Sequence, residues 1–151
     1  MKIHVTLLTF LIVLSGVSCQ HENSGNKTAK KAEIRKILNQ QATAWNEGNI
    51  EKYMEGYLRS DSLRFASGGN VTYGWQTTLE RYRKGYPDKS SMGKLIFSEI
   101  DITMISDDAA LVFGKWELQR ENDRPHGLFT LLFRKTKAGW RIVHDHTSSA
   151  R

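Results

Sequence analysis

"GLFTLLFRKTKAGWRIVHDHTS" (residues 127–148) reads as two strands joined by a tight turn. Phe129, Leu131 and Phe133 share one face of the first strand, because alternate side chains of a strand point the same way. The turn is "KTKAG", with Gly139 at its end. Trp140 and Ile142 then share one face of the second strand and belong in a core. Continuing the same alternation sends His144 and His146 to that core face and Asp145 to the opposite one. A strand that runs from a closed core to a pocket rim would change in this way, from apolar to polar along its inward face.

The strand pattern extends back to Pro87. Residues 95–105 place Ile96, Ile100, Ile102 and Met104 on one face, and "SDD" (106–108) turns the chain. Ala110, Val112, Gly114, Trp116 and Leu118 form one face of the next strand, and "ENDRPHG" (121–127) is a loop. Before Pro87 the spacing is helical. Ile34, Ile37, Leu38, Ala42 and Trp45 make one stripe over residues 32–46, and Gly48 stops that helix. Asn49 caps a second helix that runs through about Leu58, with Tyr53, Met54 and Tyr57 on one side. Leu63 and Phe65 alternate in a short strand, "SGGN" turns, and "VTYG" pairs back. Trp75, Leu79, Tyr82 and Tyr86 mark a third helix that Pro87 ends. Three helices followed by a bent antiparallel meander is an α+β order.

Residues 1–18 have the form of an export signal, with Lys2 followed by an apolar run over 5–17 that is short for a membrane span. "LSGVSC" (14–19) resembles the bacterial lipoprotein signal, which implies lipid modification at Cys19; an ordinary secretory cleavage near Ser18 is the alternative. Cys19 is the single cysteine, so no internal disulfide forms. The polar residues 20–30 read as a flexible tether, and 31–149 as one domain. The expected location is therefore exported: anchored on the inner or outer membrane facing the periplasm, or on the cell surface. The membrane contact would be through the lipid alone.

The chain carries 22 basic and 16 acidic residues, for a formal charge of +6. They are interspersed without a block of like charge, which describes a solvated surface and argues against nucleic acid as a partner. No phosphate-binding glycine loop, dinucleotide fingerprint, serine elbow or cysteine cluster is present, and no cofactor is implied. The domain holds three histidines, His126, His144 and His146. The His-x-His pair has three readings: two metal ligands needing a third, with His126 or Asp101 better placed than Asp145; an acid–base group in a pocket; or hydrogen-bonded imidazoles orienting a ligand at a rim. The third is preferred, and no metal is assigned. Of the large aromatics, Tyr57, Trp75 and Trp116 are the candidate pocket walls.

Three motifs in order resemble the nuclear transport factor 2-like superfamily. "AWNEGNIEKYMEGY" (44–57) resembles its opening helix–turn–helix. "VTYGWQTTLERYRKGYP" (71–87) resembles its glycine and third helix. The closing hairpin resembles the SnoaL-like branch, and also the end of the association domain of calcium/calmodulin-dependent kinase II. The resemblance implies a cone-shaped roll in which a curved antiparallel sheet wraps three N-terminal helices and encloses a pocket. It implies a homodimer through the outer sheet face. The family's steroid-isomerase residues do not carry over: the oxyanion tyrosine falls near Gln41, the base near Ala66 or Ser67, and the second acid near Leu131. No pocket acid of the cyclase type is evident. Three functions remain. The leading one is an exported domain that binds an unidentified small molecule through His144, His146, Tyr57, Trp75 and Trp116. The others are an isomerase, dehydratase or hydrolase using His144 or His146, and a non-catalytic dimeric assembly domain.

Overall fold

The computed structural model describes residues 18–150, with side chains from residue 24 onward. The rest of the leader and the Cys19 side chain lie outside the described residues. Helix α1 spans Ser18–Asn46, so the stretch expected as a tether continues the helix toward the N-terminus. Nothing in residues 20–31 forbids propagation of an existing helix: there is no proline and only one glycine, Gly25. The Lys30 ammonium also reaches Asp107 at 2.8 Å.

Helix α2 (Ile50–Met54) starts at Asn49, whose side chain accepts from the Lys52 N–H at 2.9 Å. Strands β1 (Arg64–Ser67) and β2 (Asn70–Tyr73) form a hairpin, and helix α3 (Trp75–Gly85) follows. A single-turn helix α4 (Lys89–Met92) was not legible in the apolar spacing; it is held by an Asp88–Ser91 capping box. The four long strands are β3 (Lys94–Met104), β4 (Ala109–Gln119), β5 (His126–Thr136) and β6 (Gly139–Thr147).

All six strands form one sheet in the order β2-β1-β6-β5-β4-β3. Every pairing is antiparallel except β1 with β6, which is parallel. The helices cover one face. Between them lies a core that includes Ile34, Leu38, Met54, Leu63, Val112, Phe133, Trp140 and Ile142, each at most 1% exposed.

Two bulges govern which side chains reach that face. In β3 the register shifts between Ser98 and Asp101, with Glu99 at a φ of 50°. Leu95 and Phe97 face inward before the bulge, and Ile100, Ile102 and Met104 after it. Ile96, expected beside the last three, lies on the other face, opposite Glu117. Gly114 makes room there, since a Cβ would come within 2.5 Å of both Ile100 and Phe129. In β6 Leu132 pairs with His144 but Phe133 pairs with Ile142, which leaves Val143 as the extra residue. The bulge sits where β6 changes neighbours. Ile142 exchanges backbone hydrogen bonds with Gly56 and Leu58 (2.9 and 2.8 Å), whereas from His144 onward the partner is β1.

Candidate functional site

The Val143 bulge reverses the inward face of the last strand. Asp145 and Thr147 face the helices, paired with Leu131 and Phe129 of β5 and with Phe65 and Ser67 of β1. His144 and His146 therefore lie on the outer sheet face, beside Arg64 and Ala66, which corrects the placement expected from unbroken alternation. His146 is exposed. His144 is half-buried, with an unpartnered Nδ1. Burial, then the nearby charges of Arg64 and His146, hold its imidazole below the usual range. Among the described residues no three His, Cys, Asp or Glu side chains converge as metal ligands.

A cavity of about 350 Å³ opens between the helices and the concave sheet face. At roughly 30 Å³ per water it has room for about a dozen waters. Two of the expected walls line it, Tyr57 and Trp116. Trp75 does not: its indole donates to the Met54 carbonyl at 2.9 Å and lies under the Arg59 guanidinium, bracing α2 against α3. Trp116 has a second role, donating from its indole to the Ser148 carbonyl at 3.0 Å and so holding the C-terminal tail.

The cavity's acid is Asp145, only 4% exposed. Its Oδ2 accepts from the Tyr57 hydroxyl at 2.7 Å, while its Oδ1 is buried without a partner. Burial raises this carboxyl to about 7; the Tyr57 hydrogen bond and the Arg81 charge pull it down less strongly. Phenols extend the network. The Tyr53 hydroxyl lies 3.4 Å from that of Tyr57 and 3.5 Å from that of Tyr82. Burial pushes Tyr53 up to about 12 and Tyr57 and Tyr82 well above the ordinary phenol range, and the Asp145 charge adds to all three shifts. These tyrosines are thus neutral hydrogen-bond donors. Gln41, buried in α1, donates to the Tyr53 carbonyl at 3.1 Å, and Gly56 leaves space for it: a Cβ there would lie 2.6 Å from the Gln41 side chain.

The matching family model is the SnoaL-like domain, over residues 34–151. This chain belongs to that family. The SnoaL-like domain here is similar to an NTF-2 like protein of unknown function from Shewanella oneidensis MR-1, with 44% identity, a TM-score of 0.75, and coverage of 78% of this chain and 98% of that one. Two more distant structures share the fold. One is a nuclear transport factor 2-like superfamily protein from Salmonella enterica serovar Typhimurium LT2 (19% identity, TM-score 0.66, 83% and 94% covered). The other is a ketosteroid isomerase-like protein from Erwinia carotovora atroseptica SCRI1043 (20%, 0.64, 80% and 95%). No curated protein matches.

In this SnoaL-like domain, Gln41, Ser67 and Leu131 all line the cavity, so the positions where the isomerase groups would fall are pocket positions. They carry no acid or base. The pocket acid missing from the sequence reading is Asp145, supplied by the last strand. One available signal pointed to its surroundings: Tyr53 with Tyr57, and Tyr82 with Tyr86, stand four residues apart and so form two phenol pairs.

Proposed function

We propose that this domain binds a small molecule in the cavity and hydrogen-bonds its carbonyl or hydroxyl group through Asp145 and Tyr57. The unpartnered Oδ1 of Asp145 carries this reading. A buried carboxyl oxygen without a partner costs free energy; Asp145 belongs to the cavity lining, and a ligand group that reached this oxygen would offset that cost. As the neutral acid, Asp145 donates to a ligand oxygen; as the carboxylate, it accepts a proton. The cavity is at the small end of the roughly 300–1,000 Å³ of small-molecule sites. Native mass spectrometry of the chain as purified tests this. Added mass that Asp145→Leu removes would support it. The proposal is lost if no mass is retained and no small carbonyl or hydroxyl compound raises the melting temperature of the wild type.

A second reading is proton-transfer catalysis of the isomerase or dehydratase kind. The observation favouring it is a buried carboxyl raised to about 7 in an aromatic-lined cavity, where either protonation state is accessible near neutral pH. The acid–base group would be Asp145 in place of His144 or His146. Exchange of ligand C–H protons with deuterated solvent, lost in Asp145→Asn, would separate this reading from binding alone.

We further propose a homodimer through the outer sheet face, where Val71, Tyr73, Leu111, Phe113 and Leu128 are each at least 39% exposed. Phe113→Lys should then give a monomer in sedimentation equilibrium. Export and lipid anchoring at Cys19 rest on "LSGVSC"; Cys19→Ala should release the protein from the membrane fraction.

A further inference from the structure

Two guanidinium groups line the cavity, Arg81 from α3 and Arg120 just after β4. Neither is fully partnered by the chain's own groups: among the described residues Arg81 forms no ion pair, and Arg120 keeps an unpartnered Nε. Arg81 appears in none of the ion pairs among the described residues. Its Nη1 donates to the Thr72 hydroxyl at 3.2 Å, and its guanidinium carbon stands 5.0 Å from the Phe65 ring centroid. The acid that serves this part of α3, Glu51, pairs instead with Arg83. Arg120 has only a loose contact with the exposed Asp123, at 3.5 Å from Nη1. Its Nε is buried without any hydrogen-bond partner.

An unsatisfied buried N–H on a guanidinium is costly. The Nε–H and the adjacent Nη–H form the edge that engages a carboxylate with two parallel hydrogen bonds. The side chain is also held in place. Gly93, at a φ of 61°, lets the backbone approach so closely that a Cβ would come within 2.7 Å of the Arg120 stem. Arg120 and Arg81 both exert a positive field on Tyr86, another cavity residue. The cavity's own acid, Asp145, is raised to about 7 by burial, so near neutral pH it offsets only part of that charge. The lining combines aromatic side chains with two cationic ones.

The geometry points to a ligand that is a small carboxylic acid: its carboxylate seated on the Arg120 guanidinium edge with Arg81 nearby, its apolar ring or chain among the cavity aromatics, and an oxygen function at Asp145 and Tyr57. This names the ligand class for the small-molecule pocket proposed above and rests on that reading. The cavity volume of about 350 Å³ accommodates a compact ring system.

Isothermal titration of the full-length chain with naphthoate and with naphthamide tests it, since the two probes match in size and differ in charge. Naphthoate should bind at least about tenfold more tightly, as expected for one charge-assisted bidentate contact. Arg120→Gln should abolish that preference, and Arg81→Gln should reduce it. Equal affinity for the two probes in the wild type would overturn the carboxylate seat while leaving the pocket reading intact. Binding of neither at millimolar concentration would overturn both. A naphthoate preference that survives in Arg120→Gln and in Arg81→Gln would place the anion elsewhere and also overturn the assignment.

Discussion

Replacing Asp145 by Asn removes a titration without removing the hydrogen bond from Tyr57, because the amide oxygen still accepts. In the folded protein the Asp145 carboxyl is raised from 3.8 to about 7, chiefly by burial. The folded state therefore binds this proton more tightly than the unfolded chain does. Between the two values the native state holds more protons, so stability falls as pH rises through this window. The full difference corresponds to about 4 kcal/mol at roughly 1.36 kcal/mol per pH unit. From about pH 5 to about pH 8 the part still to be lost is roughly 2–3 kcal/mol. The groups facing Asp145 are Tyr57, the nearby Tyr53 and Tyr82, and Arg81; its strand neighbours Phe65 and Leu131 are uncharged. The three phenols, raised chiefly by burial, stay protonated throughout that interval. The lowered groups Glu51, Asp88, Asp107 and Asp108 complete their ionisation below it. His144, lowered by burial, works in the opposite sense and is common to both proteins. Urea unfolding of wild type and Asp145→Asn at the two pH values should show the variant gaining about 2–3 kcal/mol on the wild type at the higher pH. Parallel pH profiles would mean that Asp145 ionises like an exposed acid, and the account of the cavity's electrostatics would fail.

Tyr57→Phe takes the remaining partner from Asp145 Oδ2 and should cost about 1–3 kcal/mol of unfolding free energy, while raising the carboxyl further; NMR titration of the Asp145 side-chain carbon reads the second effect. Gly114→Val pushes a branched side chain into Ile100 and Phe129 and should destabilise the fold by about 1–3 kcal/mol or more in the same urea assay. His146→Ala, on the exposed outer face, should leave naphthoate affinity unchanged by titration calorimetry; a loss would place that imidazole in the ligand's path after all.

Much of the fold was legible because apolar spacing reports directly on burial. Phe129, Leu131 and Phe133, and Val112 with Leu118, face the core as their alternation requires. Trp45 and Tyr53 are buried as their helical side requires, and the helix stop at Gly48 holds, whereas α2 ends at Met54 instead of continuing to about Leu58, and Tyr57 is buried through its backbone bridge to Ile142. The pocket walls were partly legible: Tyr57 and Trp116 line the cavity, whereas Trp75 has an equally aromatic, equally amphipathic side chain and braces two helices instead. Nothing in residue type distinguishes those roles. The two cavity arginines were indistinguishable from a solvated surface until the structure showed them in the cavity lining, Arg81 without an ion pair among the described residues and Arg120 with an unpartnered Nε.

Sequence by itself determined the order of the elements other than α4, the α+β class and the residue types that fill the core, because these follow from local periodicity and turn chemistry, while the family was legible as a resemblance of three motifs. Tertiary structure alone decided which side of β6 carries the chemistry. Strand parity is set by pairing, and β6 pairs first with the segment around Tyr57 and then with β1. Accommodating both neighbours inserts Val143 as an unpaired residue, and one extra residue exchanges the two faces of everything after it. Two histidines thereby turn to the outer surface, and the aspartate between them enters the cavity.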